Sequence, residues 1–349
     1  MSKQKQLRVG IIGVGMGQSH IRGFQSHPSA SVTALADIDK QRLERTAQQF
    51  GIKSVYTDAE EMIQKEKLDI VAVVTPNCYH KPQTLAALQA GCHVLCEKPM
   101  ALNAQEGQEM VDAAKAAGKR LMINFSFRFT QQSWALKEQV DKGVLGNIYF
   151  GRTVWHRRRG LPGFGGWFGQ KKMSGGGPLI DLGVHRLDLA LWLMGYPKPK
   201  YVLGNTYQAI GVPLAQKLGK KFDVEDLAAG VITFENGATL VVEASWACNI
   251  KERELMETRL MGTDGGLVQK NIGEGYDFEA EIFMERNGAQ YDMKLHPPVP
   301  DAPSAQFHFV ESILNGTPHV ATGEEGLIVM KLLDALYESA ATGQPVRVG

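Results

Sequence analysis

Three polar residues with helical spacing lie within a largely apolar stretch of the chain, GGGPLIDLGVHRLDLALW, which spans residues 175–192. Asp181, His185 and Asp188 stand at positions i, i+4 and i+7, so an α-helix would place them on one face. Burying carboxylates and an imidazole is unfavourable unless the groups are paired or used. Because an imidazole titrates near neutral pH, a histidine beside a carboxylate on one helix face is suited to acid–base chemistry. For Asp188 alone we favour a structural pairing.

Two short polar loops follow β-strand sequences in the first third of the chain. Thr75-Pro76-Asn77, with His80 just behind it, follows LDIVAVV, and Glu97-Lys98-Pro99 follows HVLC. In open α/β sheets, ligands bind at the carboxyl ends of the strands. Both loops are therefore candidate ligand-binding loops. The alternatives are a simple turn that starts a helix for the first loop, and an ordinary surface lysine for Lys98.

A glycine-rich turn, VGIIGVGMGQSH, lies between the first predicted strand and the first predicted helix. Glycine lets backbone amides approach a pyrophosphate, whose charge the amino end of the helix then favours. Gly13 and Gly15 fit the dinucleotide fingerprint, but the third glycine is Gly17 and Gln18 takes the usual last position. We therefore expect a turn one residue shorter than the standard one.

An acidic residue, Asp37, ends the second predicted strand 20 residues after Gly17. That spacing is typical of the carboxylate that binds the ribose hydroxyls of NAD, and a carboxylate would repel the 2′-phosphate of NADP. The sequence therefore favours NAD, while Lys40 and Arg42 leave NADP as an alternative. Asp39 is interpreted as the N-cap of the following helix.

Strand and helix patterns alternate from Leu7 to about Phe125. The strand-like runs are LRVGIIG, SVTALAD, LDIVAVVTP, HVLCEKP and KRLMINF. Helical periodicity fills the segments His20–Ser26, Lys40–Phe50, Tyr79–Ala90 and Ala104–Ala117. Strands that alternate with helices predict βαβ units and a parallel sheet. We predict an α/β fold class, with a doubly wound nucleotide-binding domain over residues 1–125.

The remainder, residues 126–349, has a different pattern. Long strand-like segments such as NIYFGRTVWHR and LAAGVITFENGATLVVEASWA carry hairpin signals at Glu235-Asn236-Gly237 and Thr263-Asp264-Gly265-Gly266. Helical patterns cover Ile180–Met194, Phe307–Leu314 and Glu324–Thr342. We predict an α+β domain built on a large, open and mostly antiparallel sheet, whose last helix packs back on the first domain.

The bulk composition limits the possible partners. A chain of 349 residues exceeds the size of one ordinary core, so two domains are expected. The net charge of +1 gives no electrostatic reason to expect nucleic acid or a membrane as partner. The four cysteines show no metal-binding spacing, so we expect no metal, buried thiols and a reducing, cytoplasmic location. A small, neutral or mildly polar ligand fits this composition better.

Taken together, four motifs resemble those of the Gfo/Idh/MocA oxidoreductases, the glucose-fructose oxidoreductase and inositol dehydrogenase family. They are VGIIGVGMGQSH, VVTPNCYH, GCHVLCEKPMALN and GGGPLIDLGVHRLDLALWLMG, in this order, and the likeness continues to LYESAATGQPVRV near the end. The resemblance implies an N-terminal Rossmann domain and a C-terminal α/β domain, whose open sheet often forms a dimer or tetramer interface. It also implies that Lys98, Asp181 and His185 form the catalytic set.

The resemblance also assigns candidate contacts to the cofactor. These residues are Gly13, Gly15, Met16, Gly17, Asp37, Thr75, Pro76, Asn77, His80, Glu97, Lys98 and Arg128. Ser126 stands where relatives often carry a polar amide, so the contact at that position is open. In this interpretation His185 is the general base, Asp181 orients it or binds substrate hydroxyls, and Lys98 stabilises the reacting oxygen.

A glycine-rich loop, RRRGLPGFGGWFGQKKMSGGG, precedes the predicted catalytic helix. Aromatic rings and arginines beside a hydroxyl-oxidising site suit sugar rings, which makes Trp155, Arg157 and Trp167 candidate substrate contacts together with Lys98, Asp181 and His185. An oligomer contact or a solvated loop is an equal alternative for this segment.

Three functions remain open at this point. The first is an NAD-dependent dehydrogenase that oxidises one ring hydroxyl of a sugar, glycoside or cyclic polyol, or the reverse reduction with NADPH. The second is a glycosidase-like enzyme that oxidises, eliminates and re-reduces with tightly held NAD. The third is a non-catalytic NAD sensor, which explains neither Lys98 nor the buried polar stripe.

Overall fold

The computed structural model describes residues 6–348 and divides into two compact units. The first unit contains the chain up to Asn124 together with Pro303–Leu327. The second contains Phe125–Ala302 and the chain from Ile328 onward. The sequence places a single boundary near residue 125, whereas the chain returns to the first unit for one late segment.

The first unit is built on a parallel sheet. Its strands are β1 (Leu7–Ile12), β2 (Ala30–Ala36), β3 (Ser54–Tyr56), β4 (Ile70–Val73), β5 (His93–Cys96) and β6 (Leu121–Ile123). They lie in the order β3-β2-β1-β4-β5-β6, and every neighbouring pair is parallel. This is the order of a doubly wound sheet, in which ligands bind at the switch point between β1 and β4. The predicted fold class of this part is confirmed.

Helices connect these strands. They are α1 (Val14–Gln25), α2 (Lys40–Phe50), α3 (Ala59–Lys65), α4 (His80–Gln89) and α5 (Ala104–Ala117). Asp39 caps α2 by accepting a hydrogen bond from the amide of Arg42, as the sequence predicts. The sheet is covered on both faces, because β4 is buried throughout and β1 has five buried residues of six. Its carboxyl edge therefore carries the loops that can meet a ligand.

The second unit is built on a larger sheet. Its strands are β7 (Ile148–Arg157), β8 (Pro199–Tyr207), β9 (Leu227–Phe234), β10 (Thr239–Ser245), β11 (Glu254–Gly262), β12 (Gly265–Asn271), β13 (Phe278–Arg286), β14 (Ala289–Lys294) and β15 (Val346–Arg347). Their order is β14-β13-β12-β11-β7-β10-β9-β8-β15, and β7 with β10 is the parallel pair in an otherwise antiparallel sheet. The predicted open, mostly antiparallel sheet is confirmed, and both predicted hairpins connect neighbouring strands.

The remaining helices complete both units. They are α6 (Gln131–Asp141), α7 (Lys171–Ser174), α8 (Val184–Leu193), α9 (Gly211–Lys217), α10 (Ala305–Asn315) and α11 (Gly323–Thr342). A π-helical turn, Leu179–Gly183, leads into α8, so the predicted continuous helix over 180–194 begins with a wider turn. All ten residues of α8 are buried. Throughout the described chain, no helix combines the length and apolarity that crossing a bilayer requires.

A histidine near the amino ends of β5 and β6 is expected to make the fold sensitive to acid. The Nδ1 atom of His93 accepts a hydrogen bond of 3.0 Å from the amide of Arg120. Burial, helped by the charges of Lys119 and Arg120, lowers the pKa of His93 to about 4. The unfolded chain then binds more protons than the folded chain between about pH 6.5 and pH 4, so stability falls as the pH drops through this window.

We expect His93→Asn to flatten the dependence of stability on pH between about 6.5 and 4. Asparagine keeps an acceptor near the Arg120 amide but does not titrate. The measurement is the thermal midpoint of unfolding across this pH range. His296→Asn, at an exposed position, is the matched control. Parallel curves for His93→Asn and the unmodified protein would contradict the prediction.

Candidate active site

The glycine-rich turn between β1 and α1 has the shape that a dinucleotide pyrophosphate requires. Gly13 has a φ of 89°, and a Cβ there would lie 2.3 Å from the carbonyl oxygen of Val74. At Gly15, a Cβ would meet only a guanidinium nitrogen of Arg42 at 3.9 Å, so this side of the turn is open. The N-cap residue of α1 is Gly13, which has no side chain to cap the helix, and the first turn of α1 contains no acidic residue. Backbone amides there are suited to a phosphate anion, and the residues fit NAD.

Asp37 follows β2 and is tied to this turn. Its carboxylate accepts hydrogen bonds from the amides of Val14 and Asp39, both at 2.8 Å. The Arg42 guanidinium donates a further bond of 2.9 Å to it. Burial raises the pKa of Asp37, but the hydrogen bonds from Arg42 and the two amides outweigh it, and the pKa is lowered. Asp37 is therefore a carboxylate beside the turn, and Arg42 is its partner within the chain.

The loop after β4 contacts a buried histidine, His80. His80 is 0% exposed, with its Nδ1 atom 2.7 Å from the carbonyl oxygen of Pro99 and its Nε2 atom 2.8 Å from that of Thr75. Burial lowers the pKa of this imidazole. A side chain with no exposed surface does not contact a cofactor, so the prediction for His80 is corrected to a supporting role. Pro76 begins the turn at Asn77, whose side chain is buried.

The loop after β5 carries Lys98 between two buried neighbours. Glu97 is 8% exposed and accepts hydrogen bonds from the side chains of His20 and Asn124. Burial raises the pKa of Glu97, but the bonds from His20 and Asn124 outweigh it and lower the value to about 2. The Lys98–Pro99 peptide bond is cis, and Lys98 is half-buried.

In the second unit, Asp181 and His185 lie where the π-helical turn meets α8. The Oδ2 atom of Asp181 accepts a hydrogen bond of 3.0 Å from the indole Nε1–H of Trp246. His185 is 9% exposed, and its ring packs edge-on against Phe127, with ring centroids 5.0 Å apart. The ring of Trp155 lies 5.6 Å from that of His185. Aromatic faces therefore enclose the imidazole on two sides.

The start of this segment is held by a buried carboxylate. Glu225 accepts hydrogen bonds from the amides of Gly177 and Leu179 and from the Tyr337 hydroxyl. Burial raises the pKa of Glu225. These bonds satisfy backbone amides at the amino end of the π-helical turn. They therefore fix the start of the segment that carries Asp181 and His185.

The predicted substrate contacts Trp155 and Arg157 lie together at the end of β7. Glu254 accepts hydrogen bonds from the indole of Trp155 at 2.7 Å and from the guanidinium of Arg157 at 2.8 Å. Arg157 also donates to the hydroxyl of Tyr276, which is 58% exposed. Trp167 instead stacks on Phe168. The structure thus groups Trp155 and Arg157 with His185, and pairs Trp167 locally.

Sequence reasoning missed several members of this site. They are Phe127, Glu225, Trp246, Glu254 and Tyr276. The hydrogen bond between Trp246 and Asp181 joins residues 65 positions apart, and those of Glu254 span 97 and 99 positions. Local patterns carry no signal for such distant pairs.

Arg128 is not placed as predicted. Its side chain is 0% exposed, and its guanidinium donates to both carboxylate oxygens of Asp188, at 2.8 and 2.6 Å. The Tyr196 hydroxyl contacts both members of this pair. A fully buried guanidinium does not reach a cofactor, so Arg128 is corrected to a structural role. The favoured structural pairing of Asp188 is what the structure has.

The four cysteines are free, as expected, but only Cys92 and Cys96 are buried. Cys78 and Cys248 are half-buried, which corrects the expectation for these two. Burial raises the pKa of all four thiols, so none is an activated nucleophile.

Comparison with protein families decides the classification. Residues 7–125 match the model described as "Oxidoreductase family, NAD-binding Rossmann fold", and residues 137–348 match "Oxidoreductase family, C-terminal alpha/beta domain". The chain belongs to the Gfo/Idh/MocA oxidoreductase family. Membership makes the first unit an NAD-binding Rossmann domain, in agreement with the geometry of the turn at Gly13 and Gly15.

Curated relatives within the Gfo/Idh/MocA family cover nearly the whole chain. D-glucoside 3-dehydrogenase of Escherichia coli (strain K12) is 36% identical over 98% of this chain and 97% of its own length. Myo-inositol 2-dehydrogenase of Thermotoga maritima is 25% identical over 98% of both chains. Among solved structures, a levoglucosan dehydrogenase in complex with NADH superposes with a TM-score of 0.88, at 25% identity over 99% of this chain and 100% of that one.

We expect Asp188→Asn to destabilise the second unit by about 3–5 kcal/mol, because it leaves the buried Arg128 guanidinium without its full counter-charge. The measurement is urea unfolding together with the dissociation constant for NAD, which should stay within about threefold. Glu138→Gln, which breaks the exposed pair with Lys142, should change stability by no more than about 0.5 kcal/mol. If Asp188→Asn loses affinity for NAD while its stability is unchanged, the structural role of Arg128 is wrong and a role in cofactor binding is supported.

Proposed function

We propose that this chain is an NAD-dependent dehydrogenase that transfers a hydride between the nicotinamide and a ring hydroxyl of a neutral glycoside or sugar. The observation that carries the proposal is the buried imidazole of His185, enclosed by aromatic rings and following Asp181 on one segment. The similarity to the D-glucoside 3-dehydrogenase supports a glycoside as substrate and the hydroxyl on carbon 3 as the reacting group.

In the oxidation, His185 accepts the hydroxyl proton as the carbon–hydrogen bond breaks. Asp181, whose carboxylate is fixed by Trp246, orients substrate hydroxyls and stabilises the protonated imidazole. Lys98 donates a hydrogen bond to the reacting oxygen and stabilises its developing negative charge. Bound NAD supplies the acceptor for the hydride. In the reverse direction His185 returns the proton to the oxygen.

The first unit holds the cofactor in this proposal. Backbone amides of Gly15, Met16 and Gly17 bind the pyrophosphate, because Gly13 carries no capping side chain and the turn is open beside Gly15. The Gly13 amide donates to the carbonyl oxygen of Ala36 at 2.8 Å, so Gly13 contributes to this site through the shape of the turn. Asp37 binds the adenosine ribose and excludes a 2′-phosphate. The loops at Thr75-Pro76-Asn77 and Glu97-Lys98 line the nicotinamide side, with His80 supporting both.

Charge in the second unit favours a neutral substrate. Glu254 neutralises Arg157, and Arg159 donates to the backbone oxygens of Arg158 and Cys248 and to Asn249. These cations are engaged by the chain itself, and Asp181 adds a negative charge beside His185. Trp155, Arg157 and Tyr276 then offer ring faces and hydrogen bonds to hydroxyl groups, while Trp167 borders the site through its loop.

Net NADH formation over a panel of methyl glycosides, free sugars, anhydrosugars and inositols tests the proposal. We expect a glucoside to be the best substrate with NAD, and weak activity with NADP. His185→Ala should lower kcat by about 10²-fold or more without loss of NAD binding. His296→Ala, at an exposed position, is the control. Turnover of a glycoside without net NADH would instead support the oxidation, elimination and re-reduction cycle, and NAD binding without any turnover would support a sensor.

We also propose that the open face of the large sheet joins a second copy of this chain. Leu203 on β8 and Val231 on β9 pair across the strands and are 49% and 39% exposed. Tyr201 and Tyr207 share that face and are 41% and 48% exposed. Exposed apolar side chains grouped on one sheet face mark an interaction site, and a second copy offers the same surface in return.

We expect Leu203→Glu to lower the molecular mass in solution from that of a dimer or tetramer to that of a smaller species, because it places charges within the apolar interface. Light scattering after size exclusion measures this. Leu218→Glu, on an exposed leucine outside the sheet, should leave the mass unchanged. A monomeric unmodified protein would exclude the proposed interface.

A further inference from the structure

Both neighbours of Lys98 are held by buried histidines. Glu97, which precedes it, accepts a hydrogen bond of 2.7 Å at Oε1 from the Nε2 atom of His20. Pro99, which follows it, has its carbonyl oxygen 2.7 Å from the Nδ1 atom of His80. His20 is 1% exposed and His80 is 0% exposed. We call these two residues the histidine bracket.

The tautomer of His20 is fixed by a neighbour from α10. The amide nitrogen of Gln306 donates a hydrogen bond of 3.1 Å to the Nδ1 atom of His20. With Nδ1 acting as an acceptor, Nε2 carries a proton, which it donates to Glu97. Gln306 reaches this position because residue 23 is glycine, where a Cβ would lie 2.5 Å from the Gln306 amide oxygen. Gln306, His20 and Glu97, which are distant in sequence, are therefore linked by two successive hydrogen bonds.

Glu97 connects His20 to the backbone of Lys98 through hydrogen bonds. Its Oε1 atom accepts from both His20 and Asn124, and its Oε2 atom accepts from the backbone amide of Lys98 at 3.2 Å. The carboxylate is buried, so solvent does not replace a missing donor. Lysine has a long, flexible side chain, and its ammonium can be placed reproducibly only if its backbone is fixed.

We propose that the histidine bracket positions Lys98, with His20 acting through Glu97 and His80 acting through Pro99. This inference rests on the proposed function of Lys98. His20 and His80 are positioning residues, because they hold the residues on either side of Lys98. His80 also contacts the Thr75 carbonyl and so orders the neighbouring loop, whereas His20 acts on the Lys98 loop.

The test compares a variant that loses the hydrogen-bond donor to Glu97, a variant that keeps a donor there, and a control at another buried histidine. His20→Leu removes it at similar size, and His20→Gln keeps a donor close to the position of Nε2. His27→Leu is the matched control, because His27 pairs with Glu311 at 2.7 Å, is equally buried, and lies just beyond α1. All three are melted to compare their stabilities.

We expect His20→Leu to lower kcat by about 10- to 100-fold, the effect of misplacing a catalytic group by a fraction of an ångström to one ångström. The dissociation constant for NAD should change by no more than about threefold, and His20→Gln should recover most of the lost kcat. His27→Leu should keep its kcat even where its melting temperature falls. His80→Gln should change both kcat and the affinity for NAD, because it frees two loops.

A double variant distinguishes a failure of this inference from a failure of the proposed function. In Lys98→Ala protein, His20→Leu should lower the remaining kcat by no more than about threefold, because there is no lysine left to position. Wild-type kcat in Lys98→Ala would overturn the proposed role of Lys98 itself. Loss of kcat in Lys98→Ala but not in His20→Leu would overturn the bracket alone, as would equal losses in His20→Leu and His27→Leu.

A spectroscopic measurement tests the inference without relying on activity. Lys98 is observed through ¹³C-methyl groups added to the lysines, with Lys98→Arg protein used to assign its signal. His20→Leu should shift or broaden this signal, and His27→Leu should leave it unchanged. Gln306→Leu, which leaves Glu97 and His20 in place, replaces His20→Leu if the latter does not fold. An unchanged Lys98 signal in both variants would overturn the inference.

Discussion

The geometry of the loop after β5 depends on one carboxylate that is kept ionised away from water. Glu97 is buried, and an isolated charge there would be expelled or neutralised. Hydrogen bonds from His20 and Asn124, together with the Lys98 amide, stabilise its charge. The same contacts connect α1, the end of β6 and the loop after β5. The geometry of the loop and the ionisation of the carboxylate therefore have a common origin.

The second unit solves a similar problem with a full ion pair. Arg128 and Asp188 are both buried, and their bidentate contact joins the turn after the first unit to α8. This leaves the outer part of the same segment for Asp181 and His185, which meet aromatic rings and an indole donor instead of an opposite charge. One helical segment thus carries Asp188, which has a structural role, and the two candidate catalytic residues Asp181 and His185.

Much of this could be predicted from the sequence, because the decisive signals are local. The alternation of strands and helices predicts the parallel sheet, and Asp181, His185 and Lys98 stand in short, specific motifs. What could not be predicted depends on contacts over long separations. By its position Arg128 fits a cofactor contact, and only the fold shows that Asp188, 60 residues later, neutralises it inside the core. Likewise, no local pattern indicates that the nitrogens of His80 face two backbone carbonyls.

The parallel pair in the large sheet has a consequence for how the second unit assembles. A hairpin cannot join parallel strands, so the chain must leave β7 and return at β10, and α8 lies on that crossover. The buried helix also lies against β7, where the hydroxyl of Thr153 donates to the carbonyl of Arg186. The segment that carries Asp181 and His185 is therefore part of the connection between the two central parallel strands. A substitution that displaces α8 from β7 is consequently expected to disturb both the central sheet and the positions of Asp181 and His185.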